Sequence, residues 1–377
     1  MPVRGILDPF HALSSVSGSI MLRFPSLACL PLLTLGCASP RAVPELPAVT
    51  AGAPPSLVVQ SSGTQSLLQA VSVVSPTVVW VSGHRGTYAR TTDGGTTWRA
   101  GVVPDADTLQ WRDVHAVSAD TAYLLSAGNG DLSRIYKTHD GGASWIQQFV
   151  NQDSAAFFDC FAFWDSRRGV AFSDAVDGRF VLLVTSDGAT WVPVAGDALP
   201  PAQPAEGSFA ASGTCVATQP GGHAWVGTGN APTARVLHTA DYGRTWTATP
   251  VPVEGGEAAG LASVVFRDPR NGLALGGPIG RPSDTAVVVA RTANGGASWS
   301  AAGWPGFAGA IYGAAYVPNA PTPTVVAVGP RGASLTRDEG ATWTVIDTVS
   351  YWSVGAAAPD AIWLVGPTGR IVKMSVR

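Results

Sequence analysis

Charged side chains stand beside aromatic ones at a few places in this chain: Trp111-Arg112-Asp113, Phe158-Asp159, Glu206 with Ser212, Arg267, Tyr312, and Tyr351-Trp352. Arginine or carboxylate against an aromatic face, gathered at a concave place, makes a contact surface for a protein or small ligand. Such groups equally well pair with one another around a water-filled channel, and both readings stay open. Arg267 and Asp268 also fit an exposed turn before Asn271-Gly272. Acid–base chemistry on a glycoside would need paired carboxyls. Glu occurs only at Glu45, Glu206, Glu254, Glu257 and Glu339, so the supply is thin, though Asp can substitute. No metal is expected, because neither Cys160 nor Cys215 has a His or Cys at ligand spacing and the six His are scattered. Asp174-Ala-Val-Asp177-Gly178 lacks the regular oxygen spacing of a calcium loop and reads as a polar turn. No cofactor is expected either. The chain has no glycine-rich dinucleotide fingerprint, phosphate loop, nucleophile elbow or paired-histidine helix.

The elements that position these residues follow from a repeat. TTDGGTTW (91–98), THDGGASW (138–145), TSDGATW (185–191), TADYGRTW (239–246), TANGGASW (292–299) and TRDEGATW (336–343) are copies of the Asp-box turn. Asp93, Asp140, Asp187, Asp241 and Asp338 can accept N–H bonds from the turn that follows. The fifth-position glycine supplies positive φ. Trp98, Trp145, Trp191, Trp246, Trp299 and Trp343 are suited to wedging against a neighbouring sheet with the indole N–H bonded. The third copy is one residue short. The fifth has Asn294 for the carboxylate, a tolerance that suits a structural role. Successive Trp residues lie roughly 44 to 55 residues apart, the period of a four-stranded propeller blade.

Ahead of each box the same order of strands recurs, in the first unit Leu67 to Val74, Thr77 to Ser82 and Tyr88 to Thr91. After the sixth box it starts again, with Tyr351 to Ala357, Ala361 to Val365 and Ile371 to Ser375, and then the sequence ends. Ser56 to Gln60 (SLVVQ) belongs to no unit, and adding it to the last one closes a seven-bladed ring with no open edge. The expected fold is therefore an all-β seven-bladed propeller over residues 56–377, closed by an N-terminal strand. With 44 Gly, 29 Pro and 13 Trp the composition is that of a turn-rich β protein. A net charge of −3 lacks the basic footprint of a nucleic-acid binder.

Residues 1–37 read as a leader. Met21-Leu22-Arg23, an apolar run from Phe24 to Leu35, and Gly36-Cys37-Ala38-Ser39 form the layout of a bacterial lipoprotein signal that would acylate Cys37, with Met21 as a candidate start. The Ala/Pro-rich residues 38–55 then form a tether. The expectation is an exported, periplasmic, lipid-anchored monomer. Cys160 and Cys215 each stand ten residues before an apolar residue of a matching strand, Val170 and Trp225. Either a disulfide or two buried thiols fits.

The leader, the seven units and the DGG-x-[ST]-W boxes resemble the photosystem II assembly and stability factors of the thylakoid lumen, whose bacterial relatives occur outside photosynthesis. Trp80-Val81-Ser82-Gly83 and Trp363-Leu364-Val365-Gly366 are similar to that family's Gly-Trp-x-Val-Gly blade line. The resemblance covers about residues 56 to 377 and implies a propeller without catalysis that holds subunits of a membrane or envelope protein complex. The longer middle units, at Asp197 to Gly207 and Pro250 to Gly260, depart from it, so the partner need not be a photosystem. Sialidases are the other Asp-box family, and a sialidase-like hydrolase or glycan-binding module is the alternative. Their Phe-Arg-Ile-Pro signature is absent, the nearest string being Val265-Phe266-Arg267-Asp268-Pro269 in the fifth unit.

Overall fold

On the run Val79–Gly83 successive side chains point to opposite faces, as on any strand, and both faces are apolar. Val79 and Val81 pack with Ala361, Trp363 and Val365. Trp80 packs the other way, with Trp111, Leu124 and Tyr136. A strand buried on both faces needs a sheet on each side of it. Ala122–Ser126, Val325–Gly329 and Ala361–Gly366 are likewise buried along their whole length. Each Leu, Val or Ile so covered contributes roughly 1.5–3 kcal/mol. The computed structural model describes residues 54–279, 281 and 286–376, and it is a seven-bladed β-propeller of four-stranded antiparallel sheets. The leader with Met21 and Cys37, and the tether as far as residue 53, lie outside the described residues.

Blades 1 to 7 begin with the strands Leu68–Val73, Trp111–Ala116, Phe158–Phe163, Val216–Gln219, Leu261–Phe266, Gly313–Tyr316 and Ser353–Ala358. These first strands touch one another in turn around the ring and line its central channel. They run in one direction, so their starts open on one end, the mouth, and their finishes on the other. Blade 7 takes its fourth strand from the N-terminal segment: Ser56–Gln60 pairs antiparallel with Arg370–Ser375, with Val58 opposite Lys373. Gln60 fastens this seam to blade 1. Its Oε1 accepts the indole N–H groups of Trp98 and Trp363, both at 3.1 Å, and its Nε2 donates to the carbonyl of Gly94 at 3.3 Å.

The box turns link third strand to fourth at the end of the ring away from the mouth. In the first, Asp93 Oδ1 accepts the Thr91 hydroxyl at 2.8 Å and the Thr97 N–H at 2.9 Å, and Oδ2 accepts the Thr97 hydroxyl at 2.6 Å. The Gly95 N–H donates to Thr91 Oγ1 at 2.9 Å from a φ of +86°. Asp140, Asp241 and Asp338 repeat these bonds. Asn294 keeps the acceptor role through Oδ1 and turns its amide to the Ser298 hydroxyl at 2.9 Å. In the short third copy, Asp187 accepts from the N–H groups of both Ala189 and Thr190. The closing indoles behave less uniformly than the sequence suggests. Trp98, Trp246 and Trp343 donate at 3.0–3.1 Å, and Trp191 reaches Gln148 only at 3.5 Å. Trp145 and Trp299 find no acceptor among the described residues. Both sit edge-on to aromatic rings, Trp145 against Tyr88 and Trp80, Trp299 against Phe266, so ring packing decides their orientation.

Candidate functional site

The first strands of blades 1, 2, 3 and 5 each carry a bulge at the mouth, where Gln69, Arg112, Asp159 and Ala262 are the extra residues against the second strand. In blades 6 and 7 the N–H groups of Tyr312 and Trp352 bond to the carbonyls of Val328 and Val365, residues already opposite Gly313 and Ser353. A bulge re-aims the side chain it inserts. One residue from each of these blades is thereby set at a common level. Gln69 is fully buried, and neither end of its amide finds a partner among the described residues.

Blade 4 departs from its neighbours. Its first strand has only four residues, and the preceding segment, 207–214, fills the mouth instead. The Ser208 N–H bonds to Asp174 Oδ1 of blade 3 at 2.9 Å, and Arg112 Nη1 of blade 2 donates to the Ala210 carbonyl at 2.8 Å. Ser212 Oγ donates to the Tyr312 carbonyl of blade 6 at 2.6 Å, while its own carbonyl accepts Ser353 Oγ of blade 7 at 2.8 Å. Thr214 Oγ1 donates to Ser263 Oγ of blade 5 at 2.8 Å. A segment bonded to five other blades, in four of them at the innermost strand, lies across the channel as a plug. Both of its roots are fixed. At one, Glu206 is buried and accepts Arg235 Nε at 2.9 Å, the Thr228 hydroxyl at 2.7 Å and the Gln203 N–H at 2.8 Å. At the other, Cys215 forms a disulfide with Cys160, next to Asp159.

Between plug and rim lies a cavity of about 310 Å³, lined by Arg112, Asp159, Asp174, Tyr312 and Trp352, with Phe157, Phe209 and Ile279 among its apolar walls. The rings of Tyr312 and Trp352 are 5.0 Å apart, and the Arg112 guanidinium lies 5.9 Å from the Trp352 ring. Arg112 gives its N–H groups to neutral oxygens, Gln110 Oε1 (3.1 and 2.6 Å) and the Ala210 carbonyl. Asp159 is 1% exposed, and its Oδ2 finds no hydrogen-bond partner among the described residues other than the adjoining acid. Beside it stands the Asp174 carboxyl. Burial, then that neighbouring acid, push the Asp159 carboxyl well above the usual carboxylate range, and burial raises Asp174 as well. Two carboxyls can adjoin away from water only if one keeps a proton, and the orphaned oxygen is the natural seat of the proton they share.

Of the residues singled out from sequence, Arg112, Asp159, Tyr312 and Trp352 share this cavity, while Trp111, Asp113, Phe158, Glu206, Ser212, Arg267 and Tyr351 do not line it. Asp113 points deeper, where its fully buried carboxyl accepts the Phe161 N–H at 2.9 Å and ties blade 2 to blade 3. Glu206 is turned to Arg235 and does not line the cavity. Arg267 is at the wrong end altogether: it follows the finish of Leu261–Phe266, where it pairs with Asp268 at 3.2 Å and with Glu339 of the sixth box at 2.8 Å. There it lines a wider cavity of about 710 Å³ with Tyr316 and residues 318–324. Asp174, Phe157 and Phe209 were missed. Asp174 precedes a hairpin turn at Asp177-Gly178, both at positive φ, so its sequence context reads as loop. Among the described residues no cluster of three or more His, Cys, Asp or Glu is placed to hold a metal.

No protein-family model and no curated protein sequence matches the chain. Solved structures match it in fold. YCF48 bound to D1 peptide superposes with a TM-score of 0.60 at 15% identity, covering 88% of this chain and 97% of that one. YCF48 from Cyanidioschyzon merolae gives 0.60 at 16% identity over 85% and 98%. The WD40 propeller domain of Doa1 gives 0.55 at 14% identity over 84% and 97%. At these identities the likeness is one of fold.

Proposed function

We propose that this chain is an exported, lipid-tethered, non-catalytic propeller that receives a segment of a membrane or envelope protein at its plugged mouth and serves as an assembly or accessory factor for the complex. In a phototroph that complex would be photosynthetic. The observation that carries the reading is the cavity between plug and rim. It combines a half-buried arginine, two aromatic rings in contact and an acid pair around a space of about 310 Å³, which is how an interface anchor is accommodated. A propeller of this fold has been seen with a peptide, the D1 peptide on YCF48, so the ring geometry is compatible with holding a polypeptide segment.

The test is capture of partners from detergent-solubilised membranes, read by mass spectrometry. Trp352→Ala removes a half-buried ring at the cavity rim and should weaken capture by about 2 kcal/mol, roughly thirtyfold, with the melting temperature nearly unchanged. Arg267→Glu, at the opposite end, should leave capture intact. Equal capture by wild type and Trp352→Ala would refute docking at the mouth. Glycan binding without any captured subunit would favour the sialidase-like reading. Radiolabelled palmitate on wild type and not on Cys37→Ala checks the anchor.

A further inference from the structure

The mouth cavity has a charge count that selects its guest. Arg112 brings one positive charge. Asp159 and Asp174 together bring one negative charge while they hold a proton between them, so the empty site is balanced. An added anion would leave two buried negative charges against one positive unless a second proton came in. An added cation that takes the place of the shared proton leaves two carboxylates against a guanidinium and the guest, and balance is kept. The shape agrees. Once the shared proton leaves, Asp159 Oδ2 is an acceptor with no donor among the described residues, while Phe157, Phe209 and Ile279 offer apolar wall for an alkyl stem. A compact ammonium with three donors suits converging carboxylates better than a flat guanidinium does.

We propose that the cavity takes the ammonium group of a lysine side chain from the partner, which replaces the proton held between Asp159 and Asp174. The displaced proton goes to solvent. The inference rests on the mouth being the working surface and names what enters it. The other groups facing the pair do not supply this switch. Arg112 of blade 2 stays charged, Glu206 at the root of the plug is neutralised by Arg235, the Asp113 carboxyl is engaged with the Phe161 N–H, and burial pushes the Tyr312 phenol up. His84, beyond Arg112, is held down by burial and by that arginine.

Three capped tripeptides, Ala-Lys-Ala, Ala-norleucine-Ala and Ala-Glu-Ala, titrated into the full chain by calorimetry in two buffers of different ionisation heat, test it. The lysine peptide should bind at least tenfold tighter than the norleucine one, release up to one proton, and tighten by up to tenfold per pH unit wherever the pair holds its proton. Asp174→Asn, close in shape, should abolish both the lysine preference and the proton release. Equal binding of lysine and norleucine peptides, a preference for glutamate, or lysine binding without proton release would each overturn the proposal, and all three are read on the wild-type chain whether or not the variant folds. The outcome is separable from the docking reading. Membrane partners captured through Trp352 with no lysine preference would sink only the guest. Lysine binding with proton release, but capture indifferent to Trp352, would sink only the docking.

Discussion

Aspartates at the two ends of the ring titrate in opposite directions. At the end away from the mouth, the hydroxyl and N–H of Thr97 hold Asp93 down to about 2, and those of Ser144 do the same for Asp140. At the mouth, burial drives Asp159 and Asp174 up. The side chain is the same, and what differs is the supply of donors against the loss of water. A box turn surrounds its carboxylate with donors in solvent, so the charge is comfortable and its work is structural. The mouth removes water and offers Asp159 an arginine at some remove and another acid. A group left in that state is available to a ligand, which is why the uncomfortable aspartates, not the more numerous satisfied ones, mark the candidate site.

The sharpest probe of this contrast is Glu206, which is buried like the mouth acids and yet fully partnered like the box acids. Glu206→Ala strands the Arg235 guanidinium and should cost about 3–5 kcal/mol, read as a fall in the urea midpoint. A loss below about 1 kcal/mol would mean the root of the plug is solvated and the contrast is overdrawn. Next is the disulfide. Cys160→Ser with Cys215→Ser frees the second root and should cost about 2–4 kcal/mol. It should also let water reach Asp159 and bring its carboxyl resonance to titrate lower in carbon-13 NMR. Smaller, and opposite in sign, is Asp159→Asn. A raised folded-state value means the native state binds the extra proton, so wild-type stability falls as pH rises above the unfolded value near 4. The variant should be the more stable at pH 7, and the difference should vanish in acid. Smallest is Asp93→Asn, for which Asn294 is the natural precedent. Here the native value is depressed, so the box contributes above about pH 4 and loses its contribution as pH falls through about 2. Unfolding midpoints across that window should show a shallower acid slope for the variant than for wild type.

The fold was legible because its signals are local and repeated. A box turn needs Thr, Asp, Gly and Trp within eight residues, and the run SLVVQ at 56–60 shows its strand character without help from elsewhere. The mouth was legible only in part. Arg112, Asp159, Tyr312 and Trp352 could be read as strand starts because each lies at the head of its unit's first strand-like run. Arg267 defeats the same reasoning: Leu261–Phe266 is apolar but for Ser263 and has an apolar residue at each end, so nothing in the string tells its first residue from its last. The plug was out of reach. SFAASGT has no periodicity, and its place is decided by N–H, hydroxyl and carbonyl bonds to five other blades, with sequence separations of 34 at Ser208, 98 at Ala210 and 100 at Ser212. Asp174 was hidden for a related reason, since its meaning depends on Asp159, on another strand.

Gln60 bears on how the ring would come apart under load. The closing strand enters at Ser56 opposite Ser375 and finishes at Gln60 opposite Ile371, so tension on the N-terminal side peels its rungs one after another from Ser56 inward rather than shearing them together. Peeling meets the partly buried Leu57 and then little side-chain packing over Val58 and Val59, both well exposed, until it reaches the residue that grips two indoles and the Gly94 carbonyl. The seam is a zip with its catch at the far end: a chain tugged from a surface would give a few rungs, absorb the pull, and close again without opening the ring.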